Sequence, residues 1–253
     1  MDWDLYERAI DEASDIGVYG CKYHAIGRGE PLLHPDIARM VAYAKKKGLI
    51  DVYLNTNGMV LTQNLSKRLL DAGLDRISFS VNGHYPEIYE RHQVGGNFSK
   101  LFHNIDRFLC ERDEGGYRTK VRVQTVVLPG IDLDAYANFW SLLADEVDYI
   151  DYKEMSRRKM GIVDSWSCPQ LWQRMSVLWD GTLLPCNHDD RLYAALGRFP
   201  DVGIDKAWRS MKFLRRMHQE GNAHLIAACD GCFLRTASIG EGGDTNGRSS
   251  RRA

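Results

Sequence analysis

Four cysteines carry the clearest chemical signal in this chain. Cys168 and Cys186 stand 18 positions apart, and Cys229-Asp-Gly-Cys232 adds a C-x-x-C pair. Four thiolates are the ligand set of structural zinc and of 4Fe–4S clusters alike. Two C-x-x-C pairs would match a zinc ribbon, whereas a widely set first pair fits zinc less well. Between Cys168 and Cys186, the runs Val177–Trp179 and Thr182–Leu184 flank Asp180-Gly181. That pattern predicts a hairpin with a type I′ turn, which would fix the direction of Cys186. The other readings of the four cysteines are two disulfides or four buried free thiols. Cys21 falls in a predicted strand and Cys110 late in a predicted helix, and both read as small buried hydrophobes. His188, two residues after Cys186, reads as an exposed loop histidine, with a ligand or hydrogen-bonding role as the other reading.

A second set of polar residues falls at predicted strand ends: Gly27-Arg-Gly-Glu-Pro31, Asn55-Thr-Asn-Gly58, Ser80-Val-Asn-Gly83 and Gln124. Gly and Asn suit places where backbone approaches a ligand, and they also make ordinary turns. The elements that would position them alternate. Predicted strands cover Val18–Ile26, Asp51–Asn55, Arg76–Val81, Val121–Leu128 and Tyr149–Lys153. Helices are predicted over 4–14 with a face of Leu5, Ala9 and Ala13, over Pro35–Lys47, after a Thr62 cap, from Pro86, from Phe98, and from Leu133 to Leu143. Five strands interleaved with helices imply a parallel α/β sheet, open or partly closed into a barrel, with chemistry at the strand C-terminal ends. Trp208–His218 is predicted as one basic amphipathic helix. Residues 238–253 have almost nothing apolar to bury and are expected to be disordered.

Composition narrows the field. The 253 residues carry a net charge of −1, which gives no bulk case for nucleic acid or an acidic membrane. No apolar run approaches the roughly 20 residues of a membrane span. Six cysteines without an export signal imply a reducing, cytoplasmic setting and argue against disulfides.

These residues resemble a known family. Cys168, twelve residues, Gly181, four residues and Cys186 are similar to the opening of the SPASM-type iron–sulfur domain of radical S-adenosylmethionine (SAM) enzymes, and Cys229-x-x-Cys232 to its later ligand pair. The cysteines suffice for one auxiliary 4Fe–4S cluster, held by Cys168, Cys186, Cys229 and Cys232. Gly29-Glu30-Pro31 resembles the family segment that holds the SAM amino group, with Arg28 where many members have Gly. The resemblance places Asn55, Ser80, Asn82 and Gln124 around SAM, Ser80 and Asn82 at its ribose or carboxylate. It implies a partial (β/α)6 barrel over 1–155, a SPASM-like domain over 156–237 and a tail over 238–253.

One departure is plain. The C-x-x-x-C-x-x-C loop that binds the SAM-cleaving second 4Fe–4S cluster has no counterpart among the six cysteines. The chain opens on a helix, so the expectation is an N-terminally truncated barrel whose first strand and cysteine loop lie upstream of Met1. The resemblance implies that the full-length parent cleaves SAM to a 5′-deoxyadenosyl radical and takes a hydrogen from a peptide, protein or small-molecule substrate. Its reductant would be a flavodoxin or ferredoxin. The alternative is a non-catalytic four-cysteine scaffold holding zinc or an iron–sulfur cluster.

Overall fold

Five strands pair as a parallel sheet in this computed structural model, which describes residues 1–24, 29–151, 167–232 and 234. The strands are β1 (Gly20–Tyr23), β2 (Asp51–Thr56), β3 (Arg76–Ser80), β4 (Lys120–Val127) and β5 (Glu146–Asp151), in sequential order. Helix α1 (Trp3–Asp15) precedes them. Between them run α2 (Ile37–Lys46), α3 (Gln63–Asp71), α4 (Pro86–His92), α5 (Phe98–Glu114) and α6 (Leu133–Trp140). Thr62 caps its helix as the sequence predicts, its Oγ1 accepting the Leu65 N–H at 3.3 Å, and Asp2 Oδ1 caps α1 by accepting the Leu5 N–H at 2.8 Å.

Sequential strand order has a geometric consequence. Right-handed crossovers between neighbours carry every connecting helix to the same side of the sheet. On that side Val52, Leu54, Ile77, Phe79, Val121 and Val123 are no more than 1% exposed. Residues of the opposite parity face away, and the register sets Asn55 beside Ser78, Ser80 beside Gln124, and Gln124 beside Asp148. This second face is polar. On it Arg122 donates to Ser78 Oγ at 3.0 Å and pairs with Asp148 at 3.2 Å.

Three boundaries differ from expectation. β5 begins at Glu146, three residues before Tyr149; its first polar residues lie on the polar face and break the apolar signal. α6 ends at Trp140, short of Leu143. β1 is shorter than Val18–Ile26, and Ile26, Lys153 and the tail from 238 lie outside the described residues.

The chain divides into two units, 18–151 and a second made of 1–17 with the described residues from 167 on. The second unit holds α7 (Gln170–Gln173), an antiparallel sheet of β6 (Ser176–Val177), β7 (Thr182–Leu184) and β8 (Gly197–Arg198), then α8 (Ile204–Ser210) and α9 (Lys212–Gln219). The predicted helix Trp208–His218 is thus two helices that meet at Met211, which is fully buried with Ala207. α1 belongs here. The face that the family resemblance assigns to the barrel packs through Ala9 and Ala13 against Leu183, Phe199, Ile204 and Ala207. Glu12 Oε1 also accepts the Asp205 N–H at the start of α8, at 3.2 Å.

The hairpin forms where predicted, but its turn is not type I′. Val177 pairs with Leu183, and the Leu178 N–H donates to Thr182 O at 2.8 Å, so the loop has three residues, Trp179-Asp180-Gly181. The Gly181 N–H donates to Leu178 O at 3.0 Å, and only Gly181 has a positive φ, +89°. That is a type I turn closed by a left-handed glycine. The Asp180 carboxylate caps it, accepting the Thr182 N–H at 3.0 Å and its hydroxyl at 3.1 Å. Among the described residues no helix is long and apolar enough to cross a membrane.

Candidate functional site

In the second unit all four cysteines of the motif line one cavity of about 30 Å³. Its walls include Leu171, Pro185, Ala194, Leu214 and Ile226, an almost wholly apolar set. Each thiol arrives by a short local device. Cys168 precedes α7, whose first turn begins on its carbonyl. Cys186 follows β7 and Pro185, so the hairpin aims it. Its loop is held by Asp189, 3% exposed, which accepts the Tyr193 N–H at 3.0 Å and the Ala194 N–H at 2.8 Å. Cys229 and Cys232 share a turn in which the Cys232 N–H donates to Cys229 O at 3.1 Å.

Electrostatics follow from burial. Desolvation pushes the Cys186 thiol up to about 12 and raises Cys168 as well. Cys186 lies near enough to Cys168 and Cys232 for their charges to raise it further. Apolar walls around converging thiols keep them protonated until a cation replaces the protons. Among the described residues no three Cys, His, Asp or Glu gather tightly enough to hold a single ion. Four thiolates on dry walls are a donor set that a 4Fe–4S cluster takes, as structural zinc does.

Hydrogen bonds reach the sulfurs from the chain itself. The His188 N–H donates to Cys186 Sγ at 3.3 Å, and the Cys186 thiol itself donates to Gln170 Oε1 at 3.8 Å. His188 is half-buried and lines the cavity, not the exposed loop residue expected, and burial lowers its pKa. His218, 1% exposed, lies 3.4 Å from Cys229 Sγ through Nε2. Sequence reasoning counted it only as the end of a basic helix. Its spacing of four from inward-facing Leu214 was the available signal. Cys21 is half-buried in β1, where desolvation raises its thiol to about 11, and Cys110 is exposed, contrary to expectation.

The other unit gathers the strand-end residues. Gly29, with φ +154°, leads into Glu30, and Pro31 opens a short 3₁₀ turn, Pro31–Leu33. The Glu30 carboxylate is engaged inside the protein. It accepts from Thr56 Oγ1 at 2.6 Å, the Asn57 N–H at 2.9 Å and the Leu32 N–H at 3.1 Å. It therefore draws Gly29–Pro31 onto the end of β2. Gly27 and Arg28 lie outside the described residues.

Asn55, Ser80 and Gln124 share the polar face of the sheet. Gln124 Nε2 donates to Ser80 Oγ at 3.4 Å. Asn55 is 9% exposed, and its Oδ1 is buried with no hydrogen-bond partner among the described residues. A buried orphan acceptor costs about 1–3 kcal/mol unless something supplies a donor. Asn82 stands just past β3 and is already used: its Oδ1 accepts the Val126 N–H at 3.0 Å and the Thr125 hydroxyl at 3.4 Å. It ties β3 to β4 and leaves its NH₂ for other contacts. The set is neutral and hydrogen-bonding.

The family model described as the radical SAM superfamily matches residues 1–139, and that of SPASM, an iron–sulfur cluster-binding domain, matches 168–233. A probable GTP 3′,8-cyclase of Methanococcus maripaludis (strain DSM 14266) is 32% identical over 107 residues, 42% of this chain and 35% of that protein. The chain spans about a third of the length of the curated relatives it matches. Among solved structures, native anSMEcpe with bound AdoMet has a TM-score of 0.64 at 13% identity, over 93% of this chain and 75% of that one. SuiB of Streptococcus suis bound to the precursor peptide SuiA has a TM-score of 0.57 at 15% identity, over 72% and 52%. At these identities the structures speak to the fold alone. Over more than half its length, then, the chain belongs to the radical SAM superfamily, and it carries a C-terminal SPASM domain.

Proposed function

We propose that Cys168, Cys186, Cys229 and Cys232 hold one auxiliary 4Fe–4S cluster, and that the polar face of the parallel sheet takes SAM. The observation that carries this reading is the convergence of the four thiols on one apolar cavity. Four protein thiolates leave no open iron, so the cluster passes electrons or braces the domain and does not ligate substrate. On the other unit, the orphan Oδ1 of Asn55 offers an acceptor, and Ser80 with Gln124 offers a paired hydroxyl and amide. Glu30 acts by holding Gly29–Pro31 against Thr56 and Asn57, so that backbone carbonyls there are set to accept the SAM amino group. Asn82 keeps the ends of β3 and β4 in line.

SAM with a reduced 4Fe–4S cluster supplies hydrogen-abstracting radical chemistry when both are bound. The thiolate triad for that SAM-binding cluster is not among the residues of this chain. A protein that brings the triad would act as a radical SAM/SPASM enzyme on a peptide, protein or small molecule, reduced by a flavodoxin or ferredoxin. The chain by itself binds SAM weakly and does not split it. Anaerobic reconstitution followed by chromatography for 5′-deoxyadenosine tests this. Retained cluster without 5′-deoxyadenosine is expected. Formation of 5′-deoxyadenosine by the isolated chain would overturn the division of labour.

A further inference from the structure

We infer that His218 is a positioning residue of the four-cysteine centre, donating a hydrogen bond to the Cys229 sulfur and thereby raising the centre's reduction potential. The inference rests on the reading of those cysteines as cluster ligands. Its geometry is independent of that reading.

The ring sits in the last turn of α9 and is 1% exposed. Its two nitrogens meet two of the four cysteines. The Cys168 backbone N–H lies 3.3 Å from Nδ1. A backbone N–H can only donate, so Nδ1 must accept and carries no proton. The ring proton is then on Nε2, which lies 3.4 Å from Cys229 Sγ, an ordinary N–H···S length. The first contact thus fixes the tautomer that makes the second a donor. The Ser167 hydroxyl also donates to His218 O at 3.1 Å, so the start of the Cys168 segment is fastened to the same residue. α9 is itself pinned, since Arg215 Nε donates to Leu171 O at 2.8 Å and its guanidinium stacks on Trp208 at 4.2 Å. One neutral, buried, oriented ring therefore spans the first and third ligands of the motif.

Hydrogen bonds to ligand sulfurs are among the levers that set cluster potentials. A donor withdraws charge from the thiolate and favours the added electron. Its removal should lower the reduced-to-oxidised ratio at a fixed potential about tenfold, which for one electron is about 59 mV.

The two nitrogens can be separated. Asn at 218 reaches no farther than the position of Nδ1, so His218→Asn keeps an acceptor for Cys168 and loses the donor to Cys229. His218→Gln extends to the position of Nε2 and restores that donor. The reconstituted full chain is first assayed for iron and sulfide, then titrated by spectroelectrochemistry. The expected result is a lower potential in His218→Asn and a near-native one in His218→Gln. Equal potentials in all three proteins, with iron retained, overturn the inference alone. A native chain that takes up no iron overturns the cluster reading and this inference with it. If His218→Asn loses its iron, the native protein still decides. Chain labelled with ¹⁵Nε2-histidine and reduced with dithionite should show a ring-nitrogen coupling by pulsed electron paramagnetic resonance that persists in His188→Asn. Absence of that coupling overturns the inference.

Discussion

Replacement of Gly181 by alanine should unseat Cys186 by a route that the turn geometry makes quantitative. Gly181 holds φ +89°, and a Cβ there would overlap the carbonyl oxygen of Phe199. That oxygen is backbone in a short paired segment, so it cannot swing aside. The left-handed conformation costs a non-glycine residue about 1–2 kcal/mol. Displacement of Phe199 loosens the 2.8 Å bond from its N–H to Gly181 O, worth about 1 kcal/mol, and disturbs a ring that is 3% exposed. Repacking adds about 1 kcal/mol, for roughly 3–4 kcal/mol in all. Gly17 supplies the control within the same unit. Its φ is +79°, but a Cβ there meets nothing within 4 Å, so Gly17→Ala should cost only the conformational share, about 1–2 kcal/mol. With urea slopes of about 1–3 kcal/mol per molar, the two midpoints should differ by about 1 M. The assay is urea denaturation of the metal-free chain followed by tryptophan fluorescence, with iron content after reconstitution as a second readout. Because β7 leads directly to Cys186, Gly181→Ala should also retain less iron. Coincident midpoints for the two variants would refute the close approach of β8 to the turn.

Other perturbations separate the two units. Serine at any of Cys168, Cys186, Cys229 or Cys232 should cut iron per chain several-fold, while Cys21→Ser and Cys110→Ser should leave it unchanged, as read by colorimetric iron assay. Asn82→Ala strands the Val126 N–H and should cost about 1–3 kcal/mol, a melting point lower by several degrees, with Asn82→Asp restoring most of it. Burial raises Cys21 from 9.0 to about 11, above its unfolded value, so its contribution to stability is complete below 9.0 and is lost as pH climbs through about 11. The urea midpoint of the metal-free chain should fall across that window, and less steeply in Cys21→Ala; identical slopes would contradict the burial of the thiol.

Much of the barrel-like unit was legible because its signals are local. Val52, Leu54, Ile77, Phe79 and Val121 are apolar runs of strand length, and Asp2 and Thr62 announce their helices by cap chemistry. The start of β5 was not legible, since Glu146 and Asp148 are residues of the polar face and mimic a loop. The turn at Gly181 was misread because Trp179 looks like strand, whereas Asp180 caps a type I turn from within the loop. The partner of α1 was hidden for a different reason. A stripe of Leu5, Ala9 and Ala13 says that something covers it but not what, and α8 presents an equally small Ala207. At the site, the thiols declared themselves by spacing. The residues around them did not: His218 is masked by the basic pattern of α9, and the hydrogen bonds of the Glu30 carboxylate to Thr56, Asn57 and Leu32 join residues up to 27 positions apart, which no local pattern announces.

The most direct test of the account is the metal content of the chain purified without oxygen. Iron, zinc and acid-labile sulfide are measured per chain, alongside the visible spectrum before and after dithionite. The account predicts about four irons and four sulfides with a broad brown absorption that bleaches on reduction. One zinc per chain in a colourless protein, with no sulfide, would contradict it and make the four cysteines a structural zinc site.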